Sequence, residues 1–218
     1  MKAKAIFFDV ANTLLHKPGL YPAINNVLLN FGATVPYTKL IASHRFLSEV
    51  ILFPDRTSSD FYKDFNSHLV RSFGISPTDE LLDALFSACT YLSWAPFPDT
   101  NFLASIKLPM GIISNWDMSL QEKLSLIPNT SFDWILGSAE QCVRKPDLDF
   151  FKKIFQASGL SARDVIYVGD SMRLDIEPAL KLGVNAILLD RDGLYSTSTV
   201  PRIKNLSEIV DMLAAKLL

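Results

Sequence analysis

Short apolar runs separated by stretches of helical length set the tightest limit on how this chain can fold. The runs are AKAIFFD (3–9), MGIIS (110–114), DWILG (133–137), DVIYVG (164–169) and NAILLD (185–190). They are rich in branched and aromatic residues and too short for helices, which predicts strands buried on both faces. Between the later runs lie amphipathic segments with helix punctuation. Pro146 is predicted at the first helical position of DLDFFKKIFQAS, Gly159 lies beyond its end, and LDIEPALKL closes on Gly183. Strands that alternate with helices in this way need long crossovers, so the chain is predicted to build a parallel α/β sheet.

Residues from about 19 to 93 break the alternation, with helical segments and no convincing strand. Phe61, Phe65, Leu69 and Phe73 recur at helical spacing, as do Leu81, Leu82, Leu85, Phe86, Cys89 and Leu92. That pattern predicts a small helical bundle with an aromatic core. His44 falls on the Leu40, Leu47, Ile51 stripe and reads as a packed bundle residue. The predicted organisation is an α/β core from residues 1–16 and 97–218, with a helical domain over residues 17–96 inserted after the first strand. Pro96 and Pro98 in WAPFPDT favour an extended, stiff connector at which the bundle would hinge. A chain of 218 residues is long enough for such a pair of domains.

Composition excludes several functions. The formal net charge is −2, and no basic cluster suits a nucleic-acid backbone. No segment reaches the roughly 18 apolar residues of a membrane span, and Asp9 interrupts the first apolar run too early for a secretory signal. Cys89 and Cys142 are too few for a disulfide framework and lack metal-ligand spacing. The expectation is a cytoplasmic protein that meets neither membrane nor nucleic acid.

In open parallel sheets, ligands bind beyond the carboxyl ends of the strands, where strand order reverses. The polar residues at those ends form a coherent set. Asp9 follows the first strand, Ser114 and Asn115 the second, Arg144 and Lys145 the third, and Asp170, Ser171 and Asp175 the fourth. Asp9 and Asp170 brought together repel unless a cation neutralises them, and oxygen ligands with room for water suit Mg²⁺. Lys145 and the Ser114 hydroxyl would then supply the donors a phosphoryl group needs. A carboxylate such as Asp9 can attack phosphorus and split one displacement into two easier ones. Read without a ligand, Ser114 and Asn115 would instead cap the helix containing LQEKL, and the aspartates would serve turns and caps.

The motifs DVANT, ISN, RKPD and VGDSMRLD, in this order, resemble those of the haloacid dehalogenase (HAD) superfamily in its phosphatase-like branch. The resemblance implies a Rossmann-like, doubly wound core with an all-helical cap, acting on a small phosphorylated compound with Mg²⁺. It makes Asp9 the nucleophile and gives Lys145 a catalytic role. It assigns Ser114, Asn115 and Lys145 to the phosphoryl group, and Asp9, the Ala11 backbone carbonyl, Asp170 and Asp175 to the metal. The pattern usually places a second Asp, the acid/base, where this chain has Ala11. His16, in the loop leading towards the helical insertion, reads as a surface loop histidine, with a substitute proton donor as the other reading. Ala11 also keeps open a phosphonatase-like carbon–phosphorus hydrolase, a 2-haloacid dehalogenase and a phosphate-binding protein without turnover.

Overall fold

The computed structural model describes residues 3–54 and 57–215. In chain order the strands are β1 (Ala5–Phe8), β2 (Leu15–His16), β3 (Ala95–Pro96), β4 (Met110–Ser114), β5 (Trp134–Gly137), β6 (Val165–Gly169), β7 (Asn185–Leu189) and β8 (Arg202–Ile203). The helices are α1 (Leu20–Asn30), α2 (Tyr37–Val50), α3 (Ser59–Ser72), α4 (Asp79–Cys89), α5 (Leu120–Leu124), α6 (Ser138–Gln141), α7 (Leu148–Ser158), α8 (Glu177–Lys181) and α9 (Ser207–Ala214). Six strands form one sheet in the order β5-β4-β1-β6-β7-β8, with every adjacent pair parallel. This is a Rossmann-like α/β sheet. The chain winds outward from β1 through β4 to β5, then crosses back to lay β6 on the other side of β1. The order therefore reverses between β1 and β6, which are in register through Phe8 and Val168.

The central strands are buried along their whole length, as their unbroken apolar runs require. Phe7, Tyr167, Phe150, Phe151 and Ile154 pack together on one face of the sheet. Gly111 sits opposite Phe7 in this layer, and a Cβ there would lie 2.2 Å from the ring, so only glycine leaves the ring its place. The segment before α7 differs from the sequence expectation. Pro146 stands outside the helix, and Asp147 caps it by accepting from the Asp149 N–H at 2.9 Å. Gly159 ends α7 at φ 71, the left-handed conformation that glycine adopts without strain. The two-residue strand β8 went unforeseen, because so short an apolar run carries no period.

The chain divides into two compact units. One comprises the residues up to His16 with those from Pro96 onward, and the other is Lys17–Ala95, one residue short of the sequence boundary. The second unit contains α1 to α4, closed around Ile24, Leu28, Leu40, Leu69, Val70, Leu81 and Leu85. No helix among the described residues is long and apolar enough to cross a membrane.

Candidate active site

Asp9 leaves the end of β1, anchored by its N–H to the Val168 carbonyl at 2.9 Å. The chain then turns tightly. The Val10 carbonyl accepts from the N–H groups of Thr13, Leu14 and Leu15, and Asn12 takes φ 60, a conformation in which Asn is enriched. Across the strand reversal, β6 delivers Asp170. A π-helical turn over Met172–Ile176 then carries Asp175 back towards the sheet. Such turns are frequent at functional sites, and this one follows a glycine that gives it room. A Cβ on Gly169 would lie 2.4 Å from Asp175 Cγ.

These elements bring Asp9, Asp170 and Asp175 together, with carboxylate oxygens within 4.8 Å of one another and all three residues buried. Lys145 enters from the loop before α7. Its Nζ lies 2.5 Å from Asp9 Oδ1 and 2.6 Å from Asp175 Oδ1. The Ser114 hydroxyl donates to the same Asp9 oxygen at 3.0 Å. Asp175 is otherwise satisfied, since Oδ1 accepts from the Tyr167 hydroxyl at 2.7 Å and Oδ2 from the Ser171 N–H at 3.1 Å. The Asn115 side chain clamps the Lys145 backbone, donating to its carbonyl at 3.0 Å and accepting from its N–H at 2.8 Å. Ser114 and Asn115 do not cap α5, whose N-cap is Ser119.

Burial pushes the Asp9 carboxyl above its ordinary value, with Lys145 working against the rise and Asp170 adding to it. Asp175 is raised in the same way, first by burial, against the pull of Lys145. Burial alone would lower the Lys145 ammonium, but Asp175 and Asp9 outweigh it and hold the pKa well above the ordinary range. Lys145 is therefore a permanent cation, one ammonium among three carboxylates. The uncompensated negative charge and hard oxygen donors fit a divalent cation, and Mg²⁺ characteristically binds through one or two carboxylates while keeping waters. Asp9, Asp170 and Asp175 are the residues of this cluster that could hold it.

Three contributors escaped the sequence. Thr13, fully buried, donates to Asp170 Oδ1 at 3.3 Å. Tyr167 looked like a core aromatic, yet its hydroxyl reaches Asp175. Arg191 grips both oxygens of Asp99 at 2.7 and 3.0 Å and donates to the Thr13 carbonyl at 2.8 Å, bracing the turn after Asp9. His16 packs within the core unit instead of standing free in a loop. Its ring stacks on Phe97 at 4.0 Å, and burial, reinforced by Arg191, lowers its pKa below the ordinary value. A neutral imidazole is a poor proton donor at neutral pH.

A parallel doubly wound sheet with carboxylates and a buried lysine at its strand reversal defines a class of α/β enzymes that handle anionic substrates. Within that class, residues 100–189 match the family model described as haloacid dehalogenase-like hydrolase. The haloacid dehalogenase-like hydrolase domain-containing protein 3 of Danio rerio is 30% identical over 148 residues, which is 64% of this chain and 60% of that protein. The glyceraldehyde 3-phosphate phosphatase of Methanothermobacter thermautotrophicus is 28% identical over 201 residues, 87% of this chain and 86% of that one. Among solved structures, a HAD hydrolase from Bacillus subtilis bound to magnesium shares the fold at TM-score 0.64 and 17% identity, covering 98% of this chain and 100% of that one. Over residues 100–189 the chain is thus similar to haloacid dehalogenase-like hydrolases, and its fold is shared with solved structures of that kind. Its match spans little more than half the length of the zebrafish relative.

Proposed function

We propose that this protein is a Mg²⁺-dependent phosphatase that hydrolyses a small phosphorylated compound through an aspartyl phosphate on Asp9. The observation that carries this reading is the asymmetry of Asp9. Its Oδ1 is held by Ser114 and Lys145, which leaves Oδ2 as the attacking atom. Oδ2 attacks phosphorus, the bond from phosphorus to the ester oxygen breaks, and water then cleaves the acyl phosphate to regenerate Asp9. Lys145, Ser114 and the backbone at Asn115 would stabilise the charge that develops on the phosphoryl oxygens. When bound, Mg²⁺ would supply Lewis-acid stabilisation and counter the repulsion between the dianionic phosphate and the Asp9 carboxylate. Asp175 would support the metal through the lysine and through water, since its own oxygens are engaged. The helical unit, inserted just after the Asp9 turn, is read as a cap that sets substrate choice. Free Cys89 and Cys142 accord with a reducing, cytoplasmic setting.

Ala11 offers no proton to the departing oxygen, and His16 does not replace it. The enzyme should therefore favour phosphates whose leaving groups depart with little protonation, such as aryl and acyl phosphates. The test is hydrolysis of a panel of phosphate monoesters, including glyceraldehyde 3-phosphate, with and without Mg²⁺. Turnover is expected only with the metal, and Asp9→Asn should abolish it while leaving the circular dichroism spectrum unchanged. Wild-type rates in Asp9→Asn would overturn the covalent route, and full activity in excess chelator would overturn the metal requirement.

A further inference from the structure

The helical unit Lys17–Ala95 encloses a cavity of about 310 Å³, to which all four of its helices contribute lining residues. That is the lower end of the volumes that take small organic ligands. Tyr62, Phe65 and Phe86 line the cavity beside the polar side chains of Asn66 and His44. Asn66 is only 6% exposed, and neither atom of its amide is hydrogen-bonded among the described residues. His44 Nδ1 is sealed from solvent and also without a partner. Its ring is fixed by edge contacts to Phe65 at 5.1 Å and Tyr21 at 5.4 Å, so it cannot turn away to find one. Buried imidazole nitrogens are nearly always satisfied in folded proteins, and the orphan His44 Nδ1 together with the Asn66 amide at one cavity points to a ligand that completes them.

The charge of the cavity narrows the chemistry. Among the described lining residues Lys17 is the one that carries a charge, and no described carboxylate accompanies it there. It makes no ion pair among the described residues and lies 5.2 Å from the centroid of the Trp94 ring. Burial disfavours its ammonium, so an anion beside it would be bound with little competition from solvent. We propose that this cavity is a binding site for a small aromatic carboxylate bearing a hydroxyl group, its ring lying against Tyr62, Phe65 and Phe86, its carboxylate on Lys17, and its hydroxyl satisfying Asn66 and His44. This site belongs to the helical unit alone and does not depend on the phosphatase reading.

The probe is 4-hydroxybenzoate, with benzoate lacking the hydroxyl and 4-hydroxybenzamide lacking the charge, each titrated into the full chain by calorimetry. Binding of 4-hydroxybenzoate is expected in the wild type and, undiminished, in Asp9→Asn. Asn66→Leu should weaken 4-hydroxybenzoate about tenfold while leaving benzoate unchanged, and Lys17→Met should weaken both acids. As a measurement that needs no cavity variant to fold, adding 4-hydroxybenzoate to the ¹⁵N-histidine-labelled wild type should shift one Nδ1 resonance. The His44→Phe protein should lack that resonance. No binding of 4-hydroxybenzoate at about 1 mM, equal binding of the benzamide, or loss of binding in Asp9→Asn would overturn the proposal.

Discussion

Lys145 is 2% exposed, an ammonium placed where only its carboxylate partners make burial tolerable. Replacing it by methionine keeps the volume but leaves three buried carboxylates without their cation. Removing one partner of a buried ion pair typically costs about 3–5 kcal/mol. Lys145→Met should therefore lower the urea midpoint sharply in chelator, and Mg²⁺ should restore part of the loss by taking over the neutralisation. A midpoint indifferent to the substitution would mean that the carboxylates are already protonated. Ala11 gives the converse case. Ala11→Asp should place a carboxyl where it can protonate the leaving oxygen, raising alkyl phosphate hydrolysis by about 10²- to 10⁴-fold and aryl phosphate hydrolysis far less. Steady-state rates on paired alkyl and aryl substrates decide it. The sequence placed Asp9, Ser114 and Asp170 at or next to strand ends and Lys145 and Asp175 a few residues beyond, and the structure brings these five side chains together. The sequence concealed Tyr167 and Arg191, since a tyrosine inside a strand looks like core and an arginine in a loop looks like surface until its partner, far along the chain, is known.

At the scale of elements, the site depends on how β6 passes into the π-helical turn. The sequence marked a helix over LDIEPALKL, but the structure divides that stretch between the turn Met172–Ile176 and α8. Apolar spacing cannot distinguish the two, because a single wider turn shifts the pattern by only one position. Gly169 is the sequence trace of this geometry. The Asp175 side chain occupies the space a Cβ would need, at 2.4 Å from Cγ. In Gly169→Ala, Asp175 must move, and with it the acceptor that orients Lys145 and Tyr167. A displacement of about 1 Å in such a group can cost on the order of 10²-fold in rate, so kcat/KM should fall by that order while the protein stays folded. Activity near the wild-type value would show that Asp175 does not position Lys145. The cap on α7 is a milder case. Asp147→Ala should cost about 1 kcal/mol, read from the urea midpoint.

For the whole molecule, the broken alternation of strand and helix was enough to foretell an α/β core with a helical insertion, because the two units bury their residues with different periods. What each unit does with its titratable groups was not legible, since burial is a property of the assembled bundle or sheet. In the core, burial raises Asp9 and Asp175, so as pH falls the folded state binds protons more readily than the unfolded chain and is stabilised by them. His44 in the helical unit does the reverse. Burial, helped by neighbouring Arg45, lowers its pKa from 6.5 to about 4, so the unfolded chain takes the proton first. Its contribution is fully present above pH 6.5 and is lost as pH falls towards 4. The loss amounts to roughly 3 kcal/mol in full, with about 2 kcal/mol gone by pH 5. Because the core aspartates push the other way, the wild-type profile alone mixes both effects, whereas the difference between the wild type and His44→Phe isolates the histidine. Urea unfolding at pH 7, 6 and 5 should show His44→Phe gaining on the wild type at each step down. A difference that stays constant across that range would mean His44 titrates alike in the folded and unfolded chain, and that its sealed Nδ1 is open to water in solution.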